Sequence, residues 1–101
     1  MASKKVMLRE AQREYRSIVA YLSNVLDSKQ AARAFMDEFD RQFQLVAENP
    51  LLHAVSRMPE LAARGYRPML VKNYVALYKV DGDAVVVAHI FHQSQDYARL
   101  V

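Results

Sequence analysis

The 101-residue chain reads as an α+β domain over residues 1–101, an antiparallel sheet of three or four strands packed under an N-terminal antiparallel helical hairpin. Three observations predict it. The first half carries two amphipathic stripes at helical spacing, joined by a two-residue cap signal at Asp27-Ser28. The last third is rich in β-branched and aromatic residues that fit a pleated surface. Within it, Asp81-Gly82 is a two-residue hairpin signal, because tight primed turns need positive φ at positions that Gly and Asp tolerate.

In order along the chain, Lys5 to Leu8 is a short apolar segment that reads as a strand added to the sheet, the alternative being the lead-in to a helix. From Arg9 the spacing turns helical: Ala11, Tyr15, Ile18, Leu22 and Val25 form one stripe, and the helix ends near Leu26. Asp27-Ser28 caps a second helix, with Gln30 at capping-box distance from Asp27. Its stripe is Ala32, Phe35, Phe39, Phe43 and Val46, and it stops at Asn49-Pro50, since the residue before proline is pushed out of the helical region. A junction this short makes the helices antiparallel, and their stripes need the sheet as a partner.

Residues 49–65 are the least regular part, with one helical turn expected at Pro59–Arg64. Tyr66 to Lys72, Tyr74 to Val80 and Ala84 to Phe91 read as a three-stranded meander. Pro68 has no ladder donor, so the first of these strands lies at an edge or meets its neighbour through a bulge. Tyr74 and Tyr78 alternate on one strand face and read as core. Gln95 to Val101 is a final turn or tail.

Apolar residues make up 52% of the chain against two glycines and three prolines, the composition of an ordered globule. With no cysteine, disulfides, thiolate zinc sites and cysteine nucleophiles are excluded. The N-terminus lacks an apolar run long enough for a signal peptide, and no segment approaches a membrane span, so a cytoplasmic protein without a membrane partner is expected. Net charge is +3; residues 1–26 sum to +3, residues 27–48 to −2 and residues 49–101 to +2. Basic surface is therefore expected on the first helix and the sheet.

No metal or other cofactor is expected. His89 and His92, three apart on a strand, point to opposite faces, and Asp37, Glu38 and Asp40 read as a solvated acidic helix face on which Asp37 pairs with Arg41. There is no P-loop, no dinucleotide fingerprint and no serine-nucleophile motif. What stands out is a set of cations and proton-transfer groups in the last third: Arg64, Arg67, Lys72, His89, His92, Tyr97 and Arg99. Metal-free RNA cleavage needs such a set, to deprotonate a 2′-hydroxyl, protonate the leaving 5′-oxygen and stabilise charge on the phosphate. Imidazole titrates nearest neutral pH, which makes His92 the natural acid or base. A phenol, titrating at about 10, donates a proton or stacks on a base more readily than it abstracts one. Arg67 and Lys72 lie on opposite faces of a regular strand and serve one site only if Pro68 bends it.

Gly65-Tyr66-Arg67, then Asn73-Tyr74, Tyr78, Val80 and Asp81, then His92, Asp96 and Tyr97 form an ordered set that resembles the RelE/ParE superfamily of bacterial type II toxin–antitoxin toxins. The resemblance implies a toxin whose partner is a cognate antitoxin that wraps an acidic, amphipathic segment over it. Toxins of the RelE branch cut mRNA in the ribosomal A site; carried over by position, Arg67 matches the arginine of the first meander strand and Tyr97 the C-terminal tyrosine. The chain departs from that branch in reading Tyr74-Val75-Ala76-Leu77-Tyr78 where Tyr-Arg-x-x-Tyr is common, and in placing His89 where an arginine is common. Its ending, His92 to Asp96, is similar to that of the ParE branch, which acts on DNA gyrase without a nuclease site and in which both residues would be structural. The reading taken is a metal-independent, ribosome-dependent mRNA endoribonuclease that inhibits translation, with ribosome and mRNA as partners. In it Arg67, His92 and Tyr97 are catalytic, and Arg64, Lys72, His89 and Arg99 bind substrate. The alternative is a ParE-like gyrase inhibitor with no nuclease activity.

Overall fold

A computed structural model describes residues 3–101. Strand β1 (Lys4–Met7) leads into helix α1 (Arg9–Ala20), which continues as a π turn over Tyr21–Val25; helix α2 (Lys29–Glu48) returns antiparallel to it. A one-turn helix α3 (Pro59–Ala63) precedes the meander of β2 (Arg67–Val71), β3 (Tyr74–Asp81) and β4 (Ala84–His92), and a 3₁₀ turn at Tyr97–Arg99 closes the chain. The sheet order is β1-β4-β3-β2. The meander is antiparallel as expected, but β1 joins β4 in parallel, so the sheet is mixed. A period-2 pattern is blind to strand direction, which is why a strand of four residues could not announce this.

Local chemistry shifts several boundaries. Ser28, not Asp27, caps α2: its Oγ accepts from the Ala31 amide at 3.1 Å, while Asp27 makes the reversal itself at φ +48°. In the π turn Leu26 N–H reaches back to Tyr21 O, and this wide turn carries Val25 off the core stripe to 69% exposure. The β3–β4 turn consists of Gly82 and Asp83, with φ +57° at Gly82, the first central position, which suits glycine there. Lys72 is not a strand residue. It is the first residue of the two-residue β2–β3 turn, also at φ +57°.

Both faces of the sheet are covered, where one was expected. On the first, Phe35, Phe39, Phe43 and Val46 of α2, with Ala11 and Leu22, bury Met69, Val71, Ala76, Tyr78, Val85, Val87 and Ile90. Tyr15 links the helices to this core through edge contacts to Phe39 at 5.0 Å, and Phe35 meets Tyr74 at 5.2 Å. On the second face, Leu61 of α3, Tyr66 and the C-terminal Tyr97, Ala98 and Val101 pack over Val75, Leu77, Ala88 and Phe91. Among the described residues no helix is long and apolar enough to cross a membrane.

Candidate functional site

The β2–β3 register orders the chemistry-bearing side chains into rows. Tyr74 faces Val71 on one side and His92 on the other, and Tyr78 faces Arg67 and Val87. A bulge in β4 between the pairs Tyr78–Val87 and Leu77–His89 leaves Ala88 without a partner. Beyond it, Ile90 and His92 share the helix-covered face with Ala76 and Tyr74, whereas His89 and Phe91 share the second face with Leu77 and Val75. Val87, which a regular strand would put beside His89, is thereby on the other face.

His92 closes the strand and shapes the turn after it. Its ring stands edge-on to Tyr74 at 5.3 Å, its amide donates to Gln95 Oε1 at 2.8 Å, and the Ser94 amide donates to its Nδ1 at 3.1 Å. With Nδ1 accepting, the ring proton sits on Nε2 in the neutral form. Tyr97 is on the opposite face. It stacks on Phe91 at 6.0 Å, and Phe91 stacks on His89 at 5.4 Å, a column of three rings.

His89 is half-buried at the edge that β4 exposes once β1 has ended. Glu14 of α1 reaches this edge: its Oε1 accepts from the Ile90 amide at 2.9 Å, and its Oε2 lies 3.6 Å from His89 Nδ1. Burial raises the Glu14 carboxyl above its ordinary value, an effect that the Ile90 amide and His89 oppose. Glu14 thus ties α1 to the sheet, through the Ile90 amide.

Arg67 is on the helix-covered face, where its Nη1 donates to His53 O at 2.5 Å. Tyr78 is fully buried and its hydroxyl donates to Pro50 O at 3.1 Å, with burial pushing the phenol up. Together these two side chains moor the segment after α2. Arg67 stands four residues along β3 and two strands across from the His92 row, about 13 Å along the strands and about 10 Å across them. Arg67, His92 and Tyr97 therefore do not meet. Arg64 ends α3, Lys72 occupies the turn, and Arg99 is exposed beside Asp96 at 3.7 Å. Arg41 pairs with Glu38 rather than Asp37, and this pairing, with Gln42, holds the Glu38 carboxyl down to about 2. Among the described residues no three His, Asp or Glu side chains gather in a metal-holding cluster.

A groove of about 710 Å³ runs along the free edge of β2 and was not foreseen. Its walls include His53, Arg57, Met58, Leu70, Gln93 and Tyr97. Half of its lining comes from residues 49–65, whose irregular pattern offers no periodicity to read. One local signal existed: Ser56 precedes Met58-Pro59, and its Oγ accepts from the Met58 amide while its own amide donates to Tyr66 O.

The sequence profile of the ParE toxin of type II toxin–antitoxin systems (parDE) matches residues 6–97. The chain belongs to the ParE toxin family. Comparison of this ParE-family toxin with curated protein sequences gives no match. Among solved structures its fold is similar to the chromosomal ParDE toxin–antitoxin system of P. aeruginosa, with TM-score 0.70 and 17% identity over 90% of this chain and 96% of that one. It is also similar to the RelBE2 toxin–antitoxin complex of Mycobacterium tuberculosis, with TM-score 0.63 and 20% identity over 94% of this chain and 95% of that one. At these identities the likeness is one of fold, and ParE- and RelE-type toxins share it. The ParE-family toxin keeps the His92 to Asp96 ending in a turn held by hydrogen bonds from His92, Ser94 and Gln95.

Proposed function

We propose that this type II toxin acts by binding rather than by cutting RNA, that its target is DNA gyrase, and that a cognate antitoxin holds it in check. One observation carries the reading: the phosphate-binding arginine, the imidazole and the phenol that cleavage would need are separated by rows and faces of the sheet. Proton transfer requires hydrogen-bond reach, and no single substrate phosphate spans these groups. Arg67 and His92 are instead engaged with His53 and the 92–95 turn. The match to the ParE profile supports the same reading. The surface offered to the target is the tip of the helical hairpin, where Tyr21, Val25 and Leu26 stand 47, 69 and 53% exposed. Large apolar side chains left together in water mark a contact surface.

A ribonuclease remains the second reading, because Tyr97, His53 and Arg57 line one groove. One experiment separates the two. Toxin freed of antitoxin is assayed on gyrase supercoiling and on ribosomes paused on a defined mRNA, beside Tyr97→Phe and Val25→Asp variants. Binding predicts blocked supercoiling, intact mRNA, no loss in Tyr97→Phe and loss in Val25→Asp. A-site cleavage abolished by Tyr97→Phe would overturn it.

A further inference from the structure

Helix α1 divides its charges by direction. Arg9, Arg13 and Arg16 follow one another at steps of four and three, so at 3.6 residues per turn they share one narrow sector of the helix, and all three are exposed. Ala11, Tyr15 and Ile18 form the opposite, core-facing side. The carboxylates of the helix are turned toward the end of β4: Glu14 accepts from the Ile90 amide, and Glu10 lines the same cleft beside His92. Arg13 pairs with Glu10, but an exposed pair of this kind contributes little and yields readily to a phosphate. Among the described residues Arg9 and Arg16 have no carboxylate partner. From Tyr15 to Leu26, Arg16 is the one charged side chain. Beyond it the surface runs through Ser23 and Asn24, polar and uncharged, to the apolar tip at Val25 and Leu26.

A row of guanidinium groups about 10 Å long suits a ligand with negative charge at short, regular intervals. Duplex DNA carries a phosphate charge per about 1.7 Å of its axis, so each arginine finds a phosphate whatever the register. Other anions fit this face less well. A single strand needs aromatic platforms for its unstacked bases, and Tyr15 is turned inward against Phe35 and Phe39. A small phosphorylated molecule needs a concave pocket, whereas the outer side of a helix is convex. On α2, Asp40 and Asp37 stand near enough to Tyr15 to raise its phenol further after burial has done so. They repel a polyanion that approaches over α2 and leave the outer side of α1 as the attractive approach.

We propose that the outer face of α1 is a duplex-DNA contact, through which this toxin grips the phosphate backbone of the DNA that gyrase holds while the hairpin tip engages the enzyme. Arg9, Arg13 and Arg16 each neutralise a phosphate and read no base sequence. The stripe and the tip belong to one hairpin, so docking of the tip makes the DNA contact intramolecular, and a weak contact then adds to a stronger one. The joint grip rests on gyrase as the target; the duplex contact by itself does not.

The test uses full-length toxin freed of antitoxin, as wild type, Arg16→Gln, the triple variant Arg9→Gln/Arg13→Gln/Arg16→Gln, and Arg41→Gln, which removes a single charge from α2 instead. Glutamine is a good helix former, and thermal unfolding checks that each variant keeps the fold. Binding to a short DNA duplex of random sequence is followed by fluorescence anisotropy from low to physiological salt. Three phosphate contacts predict a slope of about 2.7 in log Kd against log salt, lower by about 0.9 in Arg16→Gln and close to zero in the triple variant. Arg41→Gln keeps the wild-type slope. Binding to gyrase is then measured with and without the duplex, which is expected to tighten wild type at least about tenfold and the triple variant not at all. No duplex binding by wild type at low salt, a wild-type slope in the triple variant, or an equal loss in Arg41→Gln would overturn the site. Tighter binding of duplex RNA than of duplex DNA would also overturn it. Gyrase binding that DNA does not tighten would overturn the joint grip. The expected salt slopes without any binding to gyrase would overturn gyrase as the target and leave the duplex contact standing.

Discussion

The two faces of the sheet are built to different depths. One lies under helices of 12 and 20 residues, the phenylalanines of the longer interlocking with Tyr15 of the shorter and with Tyr74. The other lies under a helix of five residues and a 3₁₀ turn of three, with an open groove beside them. Stability concentrates on the first face because long helices bury continuous apolar stripes. The second keeps only enough cover to hide Leu77, Val75 and Phe91, which leaves its margin available to a partner.

The contrast breaks most readily at Phe35, 1% exposed at the centre of the aromatic cluster. Phe35→Ala is expected to cost about 3–5 kcal/mol, read as a lower urea midpoint at unchanged slope. Leu61→Ala on the second face is expected at the low end of the range for such truncations, about 2 kcal/mol, because one turn of helix can settle into the space. Equal losses from the two would mean that the faces carry equal weight. Tyr78→Phe sharpens the comparison at the border, since it leaves the Pro50 carbonyl without its donor. It is expected to cost about 1–2 kcal/mol and to speed amide exchange at Leu52, whose N–H bonds Asn49 O.

The smallest expected effect is a pH response. Glu38 is held at about 2, below its ordinary 4.5, chiefly by hydrogen bonds from Arg41 and Gln42. Its contribution is therefore present above pH 4.5 and lost as pH falls toward 2. Because the pair is solvent-screened, Glu38→Gln should flatten the acid limb of the stability curve by less than about 1 kcal/mol. Glu14 acts in the opposite sense. Its pKa is raised by burial, so its contribution is present below 4.5 and fades as pH rises through the folded value. Glu14→Gln should leave a steeper loss of stability in acid than wild type shows.

Much of the fold was legible one residue at a time. The stripe Ala32, Phe35, Phe39, Phe43 and Val46 is buried at every position, because a regular α-helix keeps its 3.6-residue period whatever it packs against. The α1 stripe failed only at Val25, where the π turn changes the period. The candidate site was far less legible. Its residue types were visible, but whether Arg67, His92 and Tyr97 could cooperate depended on a bulge at Ala88, a turn at Lys72 and a tail that folds over the second face. None of these leaves a local pattern in the sequence.

The chain's own order of residues determined two helices, a three-stranded meander, the absence of cysteine chemistry and a likeness to RelE/ParE toxins, all of which follow from local periodicity, turn chemistry and composition. The tertiary structure alone decided that β1 runs parallel to β4, that both faces are covered, and that Arg67 moors a loop. It alone decided that β2 is left as the open edge. These are properties of pairing between distant segments, and a side chain's neighbours across a sheet are set by register and strand order, which no single strand encodes.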